Sequence, residues 1–340
     1  MLNRLYLIFS VATLIVPMLA ATTSAQQNST PFSYDDKLPL DVRETEVEKL
    51  PGVSIHNISY ASPKGGRVPA YLVVPEGKAP FAAIEFVHWG QGNRTEFLSE
   101  ALFYAKGGAI SLLIDAPYNR PEWVGGPSFI ANPQKEFDLY VQLVIDARRG
   151  LDLLLSRQDV DSKQVAYVGH SLGATWGGAL AGIDKRVRAF VLMGGLPGVT
   201  DFSGDDSFSK EVRQRYKPEQ IEKYAQLISP LNPENFVGQA APAHLFFQFA
   251  RWDRYISRAA AERYEKVASQ PKLSRLYNTS HEFNDLQSWC DRVEWLRKEI
   301  QLTGIAPSTS CAALAIVPSG AASEALDVKM LLVRRFFSEL

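Results

Sequence analysis

The sequence predicts an α/β fold: a mainly parallel central sheet with helices on both faces and a small helical insertion. Two observations carry this. From about Val53 to Leu302, short apolar runs alternate with segments of helical spacing, the pattern of strands joined by crossover helices. Several runs, such as "FAAIEFV" and "AISLLI", are apolar at all but one position, as suits strands buried on both faces.

The elements follow in order. "VSIHNISYAS" and "RVPAYLVVP" flank "PKGG" and read as an antiparallel strand pair. "FAAIEFVHWGQGN" is a strand ending in a glycine-rich turn, "EFLSEALFYAKGG" a helix with a glycine stop, and "AISLLIDAP" another strand. Asn132 and Pro133 form an N-cap and first-turn pair. Phe137, Val141, Val144, Arg148, Leu151 and Leu155 then follow at intervals of three and four, so this helix buries one stripe with Arg148 at its edge. "QVAYVGH" is a strand, "SLGATWGGALAGI" a helix, and "RAFVLMGG" and "AHLFFQFARWD" are strands. In the last helix, "DLQSWCDRVEWLRKEI", Leu286, Val293, Leu296 and Ile300 face the sheet.

The segment from about 196 to 240 breaks the alternation. It is too long for a bare loop and has helical spacing around Val212 to Leu227, so it reads as a helical insertion over one end of the sheet. Residues 26–52 read as a polar leader, and 303–340 as a tail of no evident chemistry. Arg4, the apolar "LYLIFSVATLIVPMLA" and the small residues ending at Ala25 make residues 1–25 a secretory signal peptide. Its rival is a retained membrane anchor, which the run suits poorly, being short and interrupted by Ser10, Thr13 and Pro17. The protein is therefore expected to be secreted or periplasmic, with no stable membrane insertion after processing. In such a compartment Cys290 and Cys311 have the option of pairing.

With 36 basic and 37 acidic residues, a net charge of -1 points to no nucleic-acid partner. No histidine or cysteine pattern has zinc-site spacing, and no dinucleotide or Walker-type glycine loop is present. No metal or cofactor is expected.

The chemistry centres on Gly169-His170-Ser171-Leu172-Gly173, a G-x-S-x-G sequence between a strand and a helix. A serine hydroxyl needs a base to become a nucleophile, and the glycines allow the sharp turn that presents it. A glycine-rich turn with a capping serine is the bland alternative. A nucleophile here requires an acid and then a histidine later in the chain. Of five histidines, His281 in "LYNTSHEFND" has both the order and a loop position. Asp253, after "HLFFQFA" at a strand's carboxyl end, is the acid, ahead of Asp201, Asp205 and Asp206 in the insertion. The oxyanion donors are the Leu172 N–H and one from "HWGQGN", with Gly90 favoured over Trp89 or Gln91. Trp123, Phe202 and Phe208 are candidates for an apolar pocket wall.

The elements "RVPAYLVVP", "FVHWGQGN", "AISLLIDAP", "VGHSLGA", "FFQFARWD" and "NTSHEFN" come in the order of the α/β-hydrolase superfamily. From about Val53 to Leu302 the chain resembles its dienelactone-hydrolase-like and acetyl-xylan-esterase-like branches. The resemblance implies Ser171 as nucleophile, Asp253 as acid and His281 as base. Dienelactone hydrolases carry cysteine where Ser171 stands, so their substrate does not transfer. Prolyl-oligopeptidase-type peptidases usually have tyrosine and a further glycine after the serine, where this chain has Leu172, Gly173 and Ala174. The expected function is hydrolysis of a small-molecule carboxylic ester through an acyl-enzyme. The alternatives are a serine peptidase or amidase, and a non-catalytic binding module on the same fold.

Overall fold

A computed structural model of the protein describes residues 30–121 and 130–307. The signal-peptide, Cys311 and Trp123 assignments and most of the 303–340 tail lie outside the described residues.

Nine strands form one sheet: β1 (Arg43–Leu50), β2 (Val53–Ala61), β3 (Arg67–Pro75), β4 (Phe81–Val87), β5 (Ala109–Ile114), β6 (Val160–His170), β7 (Ala189–Met193), β8 (His244–Trp252) and β9 (Lys272–Ser280). Their spatial order is β1-β2-β3-β5-β4-β6-β7-β8-β9. The pairs β1/β2, β2/β3 and β3/β5 are antiparallel, and every later neighbour is parallel. This is the α/β-hydrolase arrangement that the sequence predicts.

Successive residues of the central strands feed two cores on opposite faces. On β4, Ala83 and Val87 join the core packed by α2 (Pro133–Ser156), α3 (Leu172–Ile183) and α6 (Arg258–Val267). Ala82, Ile84 and Phe86 join the other, under α1 (Leu98–Lys106) and α7 (Leu286–Glu299). The same alternation runs through Val165 and Tyr167 against Ala166 and Val168 on β6. Helix α2 starts as its sequence requires: Asn132 Oδ1 accepts the Lys135 N–H at 3.2 Å, and Pro133 occupies the first turn. In α7, Val293 and Leu296 are buried, as is Ile300 just past its end, while Leu286 is only half-buried.

Between β7 and β8 the insertion folds into α4 (Ser207–Arg215) and α5 (Pro218–Ile228), followed by three short 3-10 turns. Two differences from the sequence reading stand out. The segment read as a leader supplies β1, and its Phe32 is fully buried. β1, "RETEVEKL", is exposed along most of its length. Its place comes from the antiparallel ladder to β2 rather than from any apolar pattern. β9 and α6 likewise carry little apolar periodicity and are fixed by pairing with β8 and by Ala261 and Tyr264 reaching the core.

One core residue gives stability a pH dependence. Glu85, on β4, is fully buried, and neither carboxyl oxygen has a hydrogen-bond partner. Desolvation pushes its pKa well above the ordinary value of 4.5, and Asp184 adds to the shift. A raised folded-state pKa means full stability below the unfolded carboxyl's pKa and progressive loss as pH rises toward the folded value. Glu85→Gln, which keeps the shape of the neutral acid, should melt higher than wild type at pH 8, by about 2–4 °C per kcal/mol recovered. The two should converge near pH 4, which thermal melts at both pH values will read.

Candidate active site

The turn from β6 into α3 leaves no freedom at its two glycines. A Cβ on Gly169 would lie 2.4 Å from the Gly173 carbonyl oxygen, and one on Gly173 would lie 2.2 Å from that of Val87. Between them Ser171 takes φ 53° and ψ −110°, a conformation L-residues rarely adopt. Its N–H donates to the Met193 carbonyl at 2.8 Å and its carbonyl accepts the Thr175 N–H at 2.7 Å. The strained residue is thus clamped between the end of β7 and the first turn of α3.

Asp253 and His281 are far apart in sequence but meet directly. Asp253 follows β8 and His281 follows β9, and the parallel pairing of these strands brings their ends together. Asp253 Oδ2 lies 2.7 Å from His281 Nδ1, with the two side chains 2% and 1% exposed. Oδ1 of the same carboxylate accepts the Tyr255 and Ile256 N–H groups at 2.9 and 3.0 Å. A carboxylate only accepts here, so Nδ1 carries a hydrogen and Nε2 presents its lone pair. That Nε2 is buried and has no hydrogen-bond partner. The imidazole packs over Gly194, where an added Cβ would come within 3.3 Å of Cε1. Gly194 directly follows Met193, the residue that anchors Ser171, so Ser171 and His281 flank the same bend.

The loop after β4 completes the site. His88 is buried; its Nδ1 donates to the Trp89 carbonyl at 2.7 Å and its Nε2 accepts the Ala116 N–H at 3.0 Å. Desolvation lowers its pKa, in keeping with this neutral role. Tyr118 Oη donates to the His88 carbonyl at 2.6 Å, so the loop carrying Gly90 is tied at both faces of His88. A cavity of about 590 Å³ opens in front, with Ser171, Leu172, Gly90 and Gln91 in its wall. Phe202 and Phe208 of the insertion form part of the opposite wall, as the sequence suggested, joined by Tyr255. Asp253 and His281 stand behind this wall rather than in it.

A family model for acetyl xylan esterase matches residues 33–206, just over half of the 340-residue chain. The chain belongs to the acetyl xylan esterase family. The match contains the Ser171 turn and the Gly90 loop and stops before Asp253 and His281. Among solved structures, the acetyl xylan esterase from Paenibacillus sp. R4 superposes with a TM-score of 0.65 at 22% identity, covering 77% of this chain and 89% of that one. Acetyl xylan esterase 1 from Thermoanaerobacterium sp. JW/SL YS485 gives 0.65 at 13% identity, covering 80% and 91%. A cold-adapted esterase from an Arctic intertidal metagenomic library gives 0.53 at 15%, covering 76% and 99%. At these identities the structural matches establish the fold. No curated protein matches by sequence. Membership of the acetyl xylan esterase family makes this chain a hydrolase of esterase type.

Sequence reasoning missed Glu96. Its Oε2 accepts the Trp89 N–H at 2.9 Å, and its Oε1 lies 2.6 Å from Nδ1 of His170, the residue beside Ser171. Glu96 reads in sequence as a helix-entry residue, and no motif marks it as a partner of His170.

Proposed function

We propose that this protein is an exported serine hydrolase that cleaves carboxylic esters through an acyl-enzyme. The observation that carries the reading is the buried Asp253–His281 bond, which leaves an unpartnered Nε2 on the bend that also holds the strained Ser171. His281 Nε2 takes the Ser171 proton as Oγ bonds to the ester carbonyl carbon, and the carbonyl electron pair moves onto its oxygen. Asp253 holds the tautomer and stabilises the imidazolium. The N–H groups of Leu172 and Gly90 hold the oxyanion. Its collapse expels the alcohol, which takes the proton from His281, and water repeats the sequence on the acyl-enzyme. Export rests on the character of residues 1–25.

The test is reaction of the mature protein with a fluorophosphonate, followed by peptide mapping and a panel of esters of increasing acyl length. Stoichiometric label on Ser171 with turnover of at least one ester is the expected result. Folded protein that takes up no label would remove the serine mechanism and favour a binding module.

A further inference from the structure

A second imidazole–carboxylate pair lies beside the first. His170, 3% exposed, occupies the variable position before Ser171 and uses both ring nitrogens. Nε2 is 2.8 Å from the His281 main-chain carbonyl, and Nδ1 is 2.6 Å from Glu96 Oε1. A carbonyl oxygen can only accept, so Nε2 carries a hydrogen. At 2.6 Å a second proton must lie between Nδ1 and the Glu96 carboxyl, whichever atom holds it. The pair then has one proton more than a neutral imidazole beside a carboxylate.

The surroundings fix the ring. Trp89 stacks on it at 5.7 Å with planes 10° apart, and Phe283 meets it edge-on at 5.7 Å. The His281 ring is 5.3 Å away. Among the described residues, the groups facing His170 are Glu96 and Trp89 from the loop after β4, and His281 and Phe283 from the connection between β9 and α7. Glu96 is the carboxylate among them, while Asp253 reaches His170 only through His281.

We propose that Glu96 and His170 are positioning residues for the chemistry assigned to Ser171. The protonated pair grips the His281 carbonyl from the residue next to Ser171 and, through the Trp89 N–H, ties it to the loop that carries Gly90. The three parts of the site come from the ends of β4, β6 and β9, and this chain of bonds holds them in one register. Loss of the shared proton leaves two acceptors facing each other at Nδ1. Relief comes from moving the remaining ring hydrogen to Nδ1, which removes the bond to the His281 carbonyl. The inference rests on the serine-hydrolase reading and adds a grip on its base.

The experiment measures the rate of Ser171 phosphonylation by a fluorophosphonate, against pH, in the full chain and its variants, with thermal melts alongside. Glu96→Ala and His170→Ala should react about 10- to 100-fold more slowly, since a misplaced base can lose up to about 10²-fold in rate. Glu96→Gln should recover at least about tenfold over Glu96→Ala. Its amide N–H can donate to Nδ1 of a neutral imidazole, leaving the Nε2 hydrogen on the His281 carbonyl. Because that arrangement needs no shared proton, the test expects wild type to lose labelling rate on the alkaline side where Glu96→Gln does not. A merely structural role would not move that limb. Glu96→Ala melting with wild type and labelling at its rate overturns the proposal, as does Glu96→Gln labelling no faster than Glu96→Ala. Folded wild type that takes no label at Ser171 overturns instead the reading beneath it.

Discussion

Ser171→Ala should lower kcat/KM for an activated aryl ester by on the order of 10⁴–10⁶-fold, leaving only what binding and the oxyanion donors contribute. The fold should survive, because alanine keeps the Cβ and both main-chain bonds of Ser171, to Met193 and from Thr175. Alanine also keeps the strain, since φ 53° with ψ −110° is unfavourable for any residue with a Cβ. Such a conformation costs about 1–3 kcal/mol. Ser171→Gly should therefore be as inactive as Ser171→Ala yet melt above it, less the entropy that glycine adds to the unfolded chain. A pair of inactive variants that differ in melting temperature in this sense would mean that the fold tolerates strain at the position whose hydroxyl does the chemistry. An alanine variant with wild-type turnover on every ester would end the assignment.

The site was legible in sequence to the extent that single residues bear its geometry. Gly169 and Gly173 are glycines because a Cβ at either would meet main chain at under 2.5 Å, and that constraint is written directly as G-x-S-x-G. The central strands were legible because both faces are covered, so β4, β5 and β7 are apolar along their length apart from Glu85 and Ser111. β1 and β9 were not, because edge strands draw on ladder hydrogen bonds that leave composition nearly free. The Glu96–His170 contact joins residues 74 positions apart and depends on how the loop after β4 meets the end of β6. A histidine beside a serine and a glutamate entering a helix carry no spacing that would signal it. Asp253 and His281 stand out as candidates by order along the chain, whereas their mutual contact comes from the parallel pairing of β8 with β9.

Asp253→Asn is the more discriminating substitution, because asparagine separates two jobs that the carboxylate performs at once. Oδ1 of Asp253 accepts from the Tyr255 and Ile256 N–H groups, and Oδ2 accepts from His281 Nδ1. An asparagine oxygen can keep the first set, so a residue that only closed this turn would be replaced at little cost. Its amide nitrogen would then face Nδ1 as a donor. The imidazole can meet a donor only by taking the other tautomer, with the hydrogen on Nε2 and the lone pair on Nδ1. In that state Nε2 cannot accept the Ser171 proton, and no carboxylate remains to stabilise the imidazolium. The expected result is a fall in kcat of about 10³–10⁴-fold with KM within a few-fold of wild type, since the lost interaction strengthens only as charge develops on the ring. Thermal melting should change little. A variant that keeps its melting temperature and also its kcat would show that the Asp253–His281 bond fixes the turn after β8 and does not orient a base.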